Sequence, residues 1–557
     1  MPDRFRSRAL LVVLSLFGII LAAGLLSGAE WLARCYGPSQ WRNHPQLSPD
    51  YMEFLDESTR PLFTIKNIGG RPYLVQNDAI WKQEKRQILP FNKPPGVRRI
   101  LIAGESSADM LGAALQQEIK RGPSPHNYQV LNCAIGGADL ELAERRFDEC
   151  MGYAPDAVIF LFGHNLYYSH PDASPLLLRL ILWTRKSALI SYLNVFQPRQ
   201  DYADAKRWLD LENFIDRISS EARARGLPLM LATLPSNLWV SPKPGPDDDI
   251  APAYLEARYQ YASGHRRQAI ALLSRAVDDE PSALWHFTLG AWLYREGAWQ
   301  KAYSQLILAR DLDPARMRAS TAVNSLIRRA AVRDGTMLLD VEQIIEDQSP
   351  HGIPGWENFF DSQHVTNTNF HELAYLCARQ FMEKGWRDLA PKSYDPLRNS
   401  YGPPPTPFII ANASRVSPWP LPKGWRGISY LYGHRLPELQ KNSGSIFAHA
   451  FQNHKDRSAA YLGLAQALWR AGYDADARAA NQKAVETFSG WPDPFIQSGL
   501  FDIQKNRRQA ALDDFHRALK AAPGDPRAIF FIRRLEGTPY ASLRTGAPGD
   551  KLSHVSH

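Results

Sequence analysis

Cysteine is scarce in this chain, and what there is lacks the spacing of a metal site. Cys35, Cys133, Cys150 and Cys377 form no C-x-x-C pair, which excludes a zinc module more firmly than it supports a disulfide. Long runs of lysine or arginine are missing outside the N-terminus, so the net charge of +8 is spread thinly over 557 residues. That is weak ground for anionic partners and none for nucleic acid. Charged residues make up only 22% of the chain against 44% apolar ones, which describes a globular protein and not a disordered one. At this length one core cannot serve the whole chain, and several domains are expected.

One long apolar run does exist. Ala9 to Gly28 carries no charge, enough to cross a bilayer as a helix, and Arg4, Arg6 and Arg8 precede it. The excess of arginine on that side keeps residues 1–8 in the cytoplasm and sends the rest across, giving a single-pass protein of the inner (cell) membrane with an extracytoplasmic or periplasmic bulk. A cleaved signal peptide, with Ser27 and Ala29 as the small residues before the cut, is the competing reading, and the length of the run favours an uncleaved anchor. The Leu-Ala-Arg-Cys35 sequence does not suit lipoprotein processing. Residues 29–96 read as a juxtamembrane spacer with a small hairpin near Gly69-Gly70 and Tyr73-Leu74-Val75, bounded by Lys93-Pro94-Pro95-Gly96.

From residue 97 the pattern changes to short continuous apolar strands alternating with amphipathic helices. Ile100–Ala103, Tyr128–Cys133, Ala157–Phe162, Leu229–Thr233 and Met337–Val341 are the expected strands, and the long helix carries Trp208, Leu211, Ile215, Ile218 and Ala222. Such alternation indicates a parallel sheet, whose ligands bind beyond the carboxyl ends of the strands. Three glycine-bearing turns fall there: Gly104-Glu105-Ser106-Ser107, Gly136-Gly137 and Gly163-His164-Asn165. A serine at a strand-to-helix turn sits where a helix N-terminus favours developing negative charge. Glycine lets a backbone N–H approach an oxyanion, and an asparagine amide is a second donor. Far downstream, Asp361 and His364 supply a carboxylate and an imidazole just ahead of a helix through Phe370, Ala374 and Phe381. That is the equipment of acyl transfer: nucleophile, base, orienting acid and oxyanion donors.

These four blocks, in this order, resemble the SGNH hydrolases, the GDSL-type esterase superfamily. The resemblance implies a three-layer, flavodoxin-like α/β domain with a parallel sheet. It makes Ser106 the nucleophile, His364 the base and Asp361 its partner, with oxyanion donors at the Ser106 amide, Gly137 and Asn165. No metal or organic cofactor is called for. Counting from Asn132 favours Gly137 over Gly136 as the donor. The chain departs from the pattern in reading GES for GDS at Glu105, and in placing Leu166 where an acid is common, which touches the hydrogen bonding of Asn165. Ser107 is the alternative hydroxyl, but Ser106 matches the block. His371, on the following helix, reads as solvated; His164 and His170 read as exposed loop residues, with lining of a substrate groove as their other role.

Two further stretches repeat. Ala269, Leu273, Ala276 and Pro281 recur as Ala302, Leu306, Ala309 and Pro314, and after the Pro-rich stretch near Gly402-Pro403 the theme returns at Ala477, Asn481, Ala484 and Pro492, then Ala511, Phe515, Ala518 and Pro523. This resembles tetratricopeptide repeats, which present a surface to protein partners or else brace the domain beside them. Two units in each place are too few for a stable stack, so the groups are expected to pack together or against neighbouring helices. The expected domains are therefore a transmembrane helix 9–28, a spacer 29–96, the hydrolase domain in two parts (97–249 and 331–395), inserted repeats 250–330, a linker 396–445, C-terminal repeats 446–540 and a tail 541–557. The function that follows is an ester hydrolase or O-acyltransferase acting on an ester-bearing substrate, with acylated cell-envelope carbohydrate suggested by analogy of fold and compartment. The reading from a different class is a degenerate domain of the same kind serving with its repeats as an envelope scaffold. Retention of all four blocks counts against it, and Leu166 and the repeats count for it.

Overall fold

A computed structural model describes residues 60–77, 87–168, 200–387 and 474–544, positions 243, 246, 356, 357 and 360 aside, with a few residues at 21–32, 389 and 458–465. Most of the expected membrane span, His170, the linker 396–445 and the tail beyond 544 lie outside the described residues. Among the described residues no helix is long and apolar enough to cross a membrane. The chain divides into two compact units, residues 1–92 with 168–211, and residues 93–167 with 212–557.

The first unit contains a three-stranded antiparallel sheet. Strands β1 (Phe63–Ile68) and β2 (Arg71–Gln76) form a hairpin whose register, from Phe63 opposite Gln76 to Ile68 opposite Arg71, leaves Gly69-Gly70 as the turn. Strand β3 (Ile88–Pro90) adds to β2, so the expected hairpin has a third strand.

The second unit is built on a five-stranded parallel sheet of β4 (Arg98–Gly104), β5 (Tyr128–Asn132), β6 (Ala157–Leu161), β7 (Leu229–Ala232) and β8 (Met337–Leu339), in the order β5-β4-β6-β7-β8. All five expected strands are present. The last is shorter than its apolar run suggested, because Asp340 accepts from the Gln343 N–H and starts a helix. Continuous burial of Ile100 through Ala103 and of Ala157 through Leu161 accounts for their unbroken apolar sequence. Helix α1 (Ser106–Arg121) follows β4, and α2 (Leu140–Met151) follows β5 and packs against β4. The chain order reverses at β4, so the rim between β4 and β6 is the switch point at which such sheets bind ligands. Helix α3 (Gln200–Ala224) precedes β7.

Between β7 and β8 the chain inserts helices α4 (Pro252–Ala262), α5 (Arg266–Asp279), α6 (Ala283–Arg295), α7 (Trp299–Asp311) and α8 (Thr321–Asp334). After β8 come α9 (Val341–Gln348) and α10 (Asn367–Glu383), the latter packed on α1. The C-terminal helices are α11 (Asp474–Thr487), α12 (Asp493–Gln504), α13 (Arg508–Ala521), α14 (Pro526–Leu535) and α15 (Tyr540–Arg544). The recurring small residues are the contact points: Ala269, Ala302, Ala477, Ala484, Ala511 and Ala518 are fully buried. The two helical groups share their cores. Tyr254, Tyr261, Trp285 and Trp292 of the insertion cluster with Tyr461, Ala477, Ala484 and Phe501, and Leu255 and Ala262 on the other side of α4 join Phe495, Leu500, Phe515 and Phe531. Arg534 fixes the join by donating to both carboxylate oxygens of Glu256.

Candidate active site

The rim between β4 and β6 is shaped by what Gly104 lacks. Its φ is +142°, and a Cβ there would lie 1.9 Å from the Leu161 carbonyl oxygen, so only glycine lets β4 end against β6 in this way. The chain then turns through Glu105 into α1, and Ser106 becomes the first helical residue. Its hydroxyl oxygen lies 2.6 Å from His364 Nε2, across 258 residues of sequence. On the other side of the ring, His364 Nδ1 is 2.7 Å from Asp361 Oδ2. A carboxylate can only accept, so Nδ1 carries the proton and Nε2 is left to accept from the serine.

The loop holding Asp361 and His364 is closed by a bridge between Phe359 and Val365 and by the Thr366 N–H donating to the Asn358 carbonyl. Within it, Asp361 Oδ1 accepts from the N–H groups of Gln363 and His364. Burial works against a charged Asp361, but the His364 charge and these hydrogen bonds outweigh it and hold the carboxyl below its ordinary range. For His364, burial likewise opposes charge; Asp361, with a further contribution from Glu105, overcomes it and raises the imidazole above 6.5.

The other two turns gather at the same place. Asn132 joins the second to α1 by donating to the Asp109 carbonyl and side chain. The turn Ile135–Ala138 closes on itself with Gly137 at φ +73°, and Asn165 Nδ2 donates to the Ala138 carbonyl at 2.9 Å. A disulfide between Cys133 and Cys150 spans this turn and ties it to the end of α2, a pairing that the cysteine spacing gave little reason to expect. Cys377 is buried and free.

Glu105 links the two positions, its own and Leu166, at which the chain departs from the pattern it resembles. Its side chain is fully buried and does not cap α1; it accepts from the backbone N–H groups of His164 at 2.9 Å and Asn165 at 2.8 Å. The longer acid thus reaches the third turn and orders Asn165, while Leu166 is wholly buried in the core. Burial pushes Glu105 up to about 7, against the lowering effect of those backbone donors.

Two expectations change. His164 is not exposed: it is 1% accessible, its Nδ1 accepts from the Ala319 N–H, and burial and then repulsion from His364 lower it to about 3. It is therefore a neutral ring with its proton on Nε2. His371 is not merely solvated, since it meets the buried carboxylate of Glu118 at 2.8 Å. Ser107, the alternative hydroxyl, is buried, and it lines a small apolar cavity with Leu111, Leu161, Gln363 and Phe370; Ser106 is the serine that meets the imidazole. Among the described residues no group of three or more His, Cys, Asp or Glu could hold a metal ion.

The class defined so far is a parallel α/β domain that carries a serine, an imidazole and a carboxylate in hydrogen-bonded series at its switch point. No protein-family model matches the chain, and no curated protein matches it.

Proposed function

We propose that the protein is a serine ester hydrolase or O-acyltransferase of the SGNH type, acting outside the cytoplasm. The observation that carries this reading is the Ser106–His364–Asp361 series, assembled from distant parts of the chain at the sheet rim where α1 begins. In the reaction His364 Nε2 takes the proton of Ser106 as its oxygen attacks the ester carbonyl, and the carbonyl electrons move onto oxygen. The Ser106 and Gly137 amides and the second N–H of Asn165 Nδ2 are the donors for that oxyanion. The intermediate collapses, the ester C–O bond breaks, and His364 returns the proton to the departing alcohol. Water, or the hydroxyl of a sugar, then attacks the acyl-serine by the same proton relay in reverse. Asp361 holds the tautomer and offsets the imidazolium charge throughout.

The N-terminal apolar run and its arginines support a membrane anchor with the catalytic domain on the far side, and the Cys133–Cys150 disulfide suits an oxidising compartment. Acylated cell-envelope carbohydrate is the substrate class we favour, with the helical repeats as a surface for a protein partner. The test is turnover of a short-chain aryl ester by the full chain in detergent. Ser106→Ala should fold as wild type and lose nearly all turnover, at least about 10³-fold, whereas Ser107→Ala should keep most of it. Equal loss in both would overturn the choice of Ser106 as the nucleophile, and a wild-type protein without turnover would favour the scaffold reading.

A further inference from the structure

The loop between α7 and α8, within the helical insertion, reaches both of the segments that carry the site. Arg318 is almost completely buried. Its Nη2 pairs with Asp313 at 2.7 Å, and its Nη1 donates to the carbonyls of Asn237 at 3.0 Å and Val240 at 3.3 Å. Asn237 is fully buried and uses every polar atom it has. Its N–H donates to the Ser362 carbonyl at 3.0 Å, its Nδ2 to the Asp361 carbonyl at 3.1 Å, and its Oδ1 accepts from the Trp239 N–H at 3.0 Å. The backbone of the Asp361 loop is thus held by Asn237, which is held in turn by Arg318.

The next residue works on the other side. The Ala319 N–H donates to His164, immediately before Asn165, and Gly163 is so close to α8 that a Cβ would lie 2.6 Å from Val323 Cγ1. Two consecutive residues of the insertion therefore set the register of the base loop and of the oxyanion-donor loop. Burying a guanidinium is costly unless it is paired and its donors are used, and here Asp313 pairs it and two carbonyls of the Asn237–Val240 segment, whose Asn237 holds the Asp361 loop, take its other donor.

We infer that Arg318, acting through Asn237, is a positioning residue for the Asp361–His364 pair, and that the α7–α8 loop of the helical insertion is part of the frame of the active site. The inference rests on the proposed esterase reading for its effect on turnover, but not for its effect on the imidazole. Acid and base held even 1 Å out of place lose about 10²-fold in rate without losing substrate binding.

The experiment uses the full chain in detergent and two readouts: kcat and KM for an aryl ester, and the titration midpoint of His364, read residue by residue from hydrogen exchange at the imidazole C2 by mass spectrometry. Besides Asp361, the charged or titratable groups that bear on that ring are Glu105 and His164. Arg318→Met and Asn237→Ala should lower kcat about 10- to 100-fold with KM within about twofold, and should move the His364 midpoint down toward 6.5. Arg318→Lys, which keeps a donor and the charge, should recover part of both. Arg527→Met, which breaks a comparable network joining Asp493 and Asp525 of the C-terminal region to Asp249 ahead of α4, should change neither. A wild-type His364 midpoint in Asn237→Ala and in any Arg318 variant that folds, with a lowered melting temperature alone, would overturn the inference. A wild-type enzyme without turnover would instead sink the esterase reading, and the midpoint comparison would still decide the role of Arg318.

Discussion

Ser106 and Ser107 stand side by side, yet the helix turns one hydroxyl to the imidazole and the other into the core. A step of one residue along a helix rotates the side chain by about 100°, so the two cannot share a role. The ionisation of the partners follows from the same geometry. His364 must be neutral to accept the serine proton, and its midpoint is raised because Asp361 outweighs burial. Activity therefore rises with pH through that midpoint, and the acid limb of kcat/KM should be centred above 6.5. Asp361→Asn removes the charge that raises it, so the limb should move to lower pH while kcat falls by about 10⁴-fold. A pH–rate profile of the two proteins checks both; an unmoved limb would mean that some other group sets it. Residue types and order were legible in the sequence because a serine, an imidazole and a carboxylate in series are few kinds of group at marked turns. Glu105 was visible only as a lengthened acid, and its hold on Asn165 depends on β4 and β6 being neighbours, which spacing alone does not state.

At the level of elements, the strands were readable because both faces of the sheet are covered and the apolar runs are continuous. The end of β8 was not, since Val341 continues the apolar run while Asp340 caps a helix. The Cys133–Cys150 bond was hidden for a related reason: Cys133 lies just past the end of a strand and Cys150 on a helix face, and only the fold of the loop between them brings them together. With 17 residues of separation, the closed loop restricts the unfolded chain by about 3 kcal/mol. A Cys133→Ser, Cys150→Ser double variant should lose stability of that order in denaturant unfolding, and an unchanged midpoint would argue against the pairing. Arg318 and Asn237 were illegible from the start. They lie in connecting loops without periodicity, and their importance comes from what they touch.

Across the whole molecule, the helical groups before and after the linker behave as one packed body, although more than 200 positions separate Tyr254 from Tyr461 in sequence. The repeats were legible as repeats, and their need for company as a consequence of their small number, but which faces meet was not. A chain ended at residue 445 would uncover Tyr254, Tyr261, Leu255 and Ala262, with each large apolar side chain costing about 1.5–3 kcal/mol. It should melt earlier than the full chain and aggregate, and an unchanged melting curve would contradict the shared cores. The central claim is narrower than any of this: loops from four places in the chain make one reactive serine. The most direct measurement is to treat the full chain in detergent with a fluorophosphonate and map the adduct by peptide mass spectrometry. The account predicts one modified residue, Ser106, with the reaction abolished in His364→Ala; an unmodified Ser106, or labelling indifferent to His364, would contradict it.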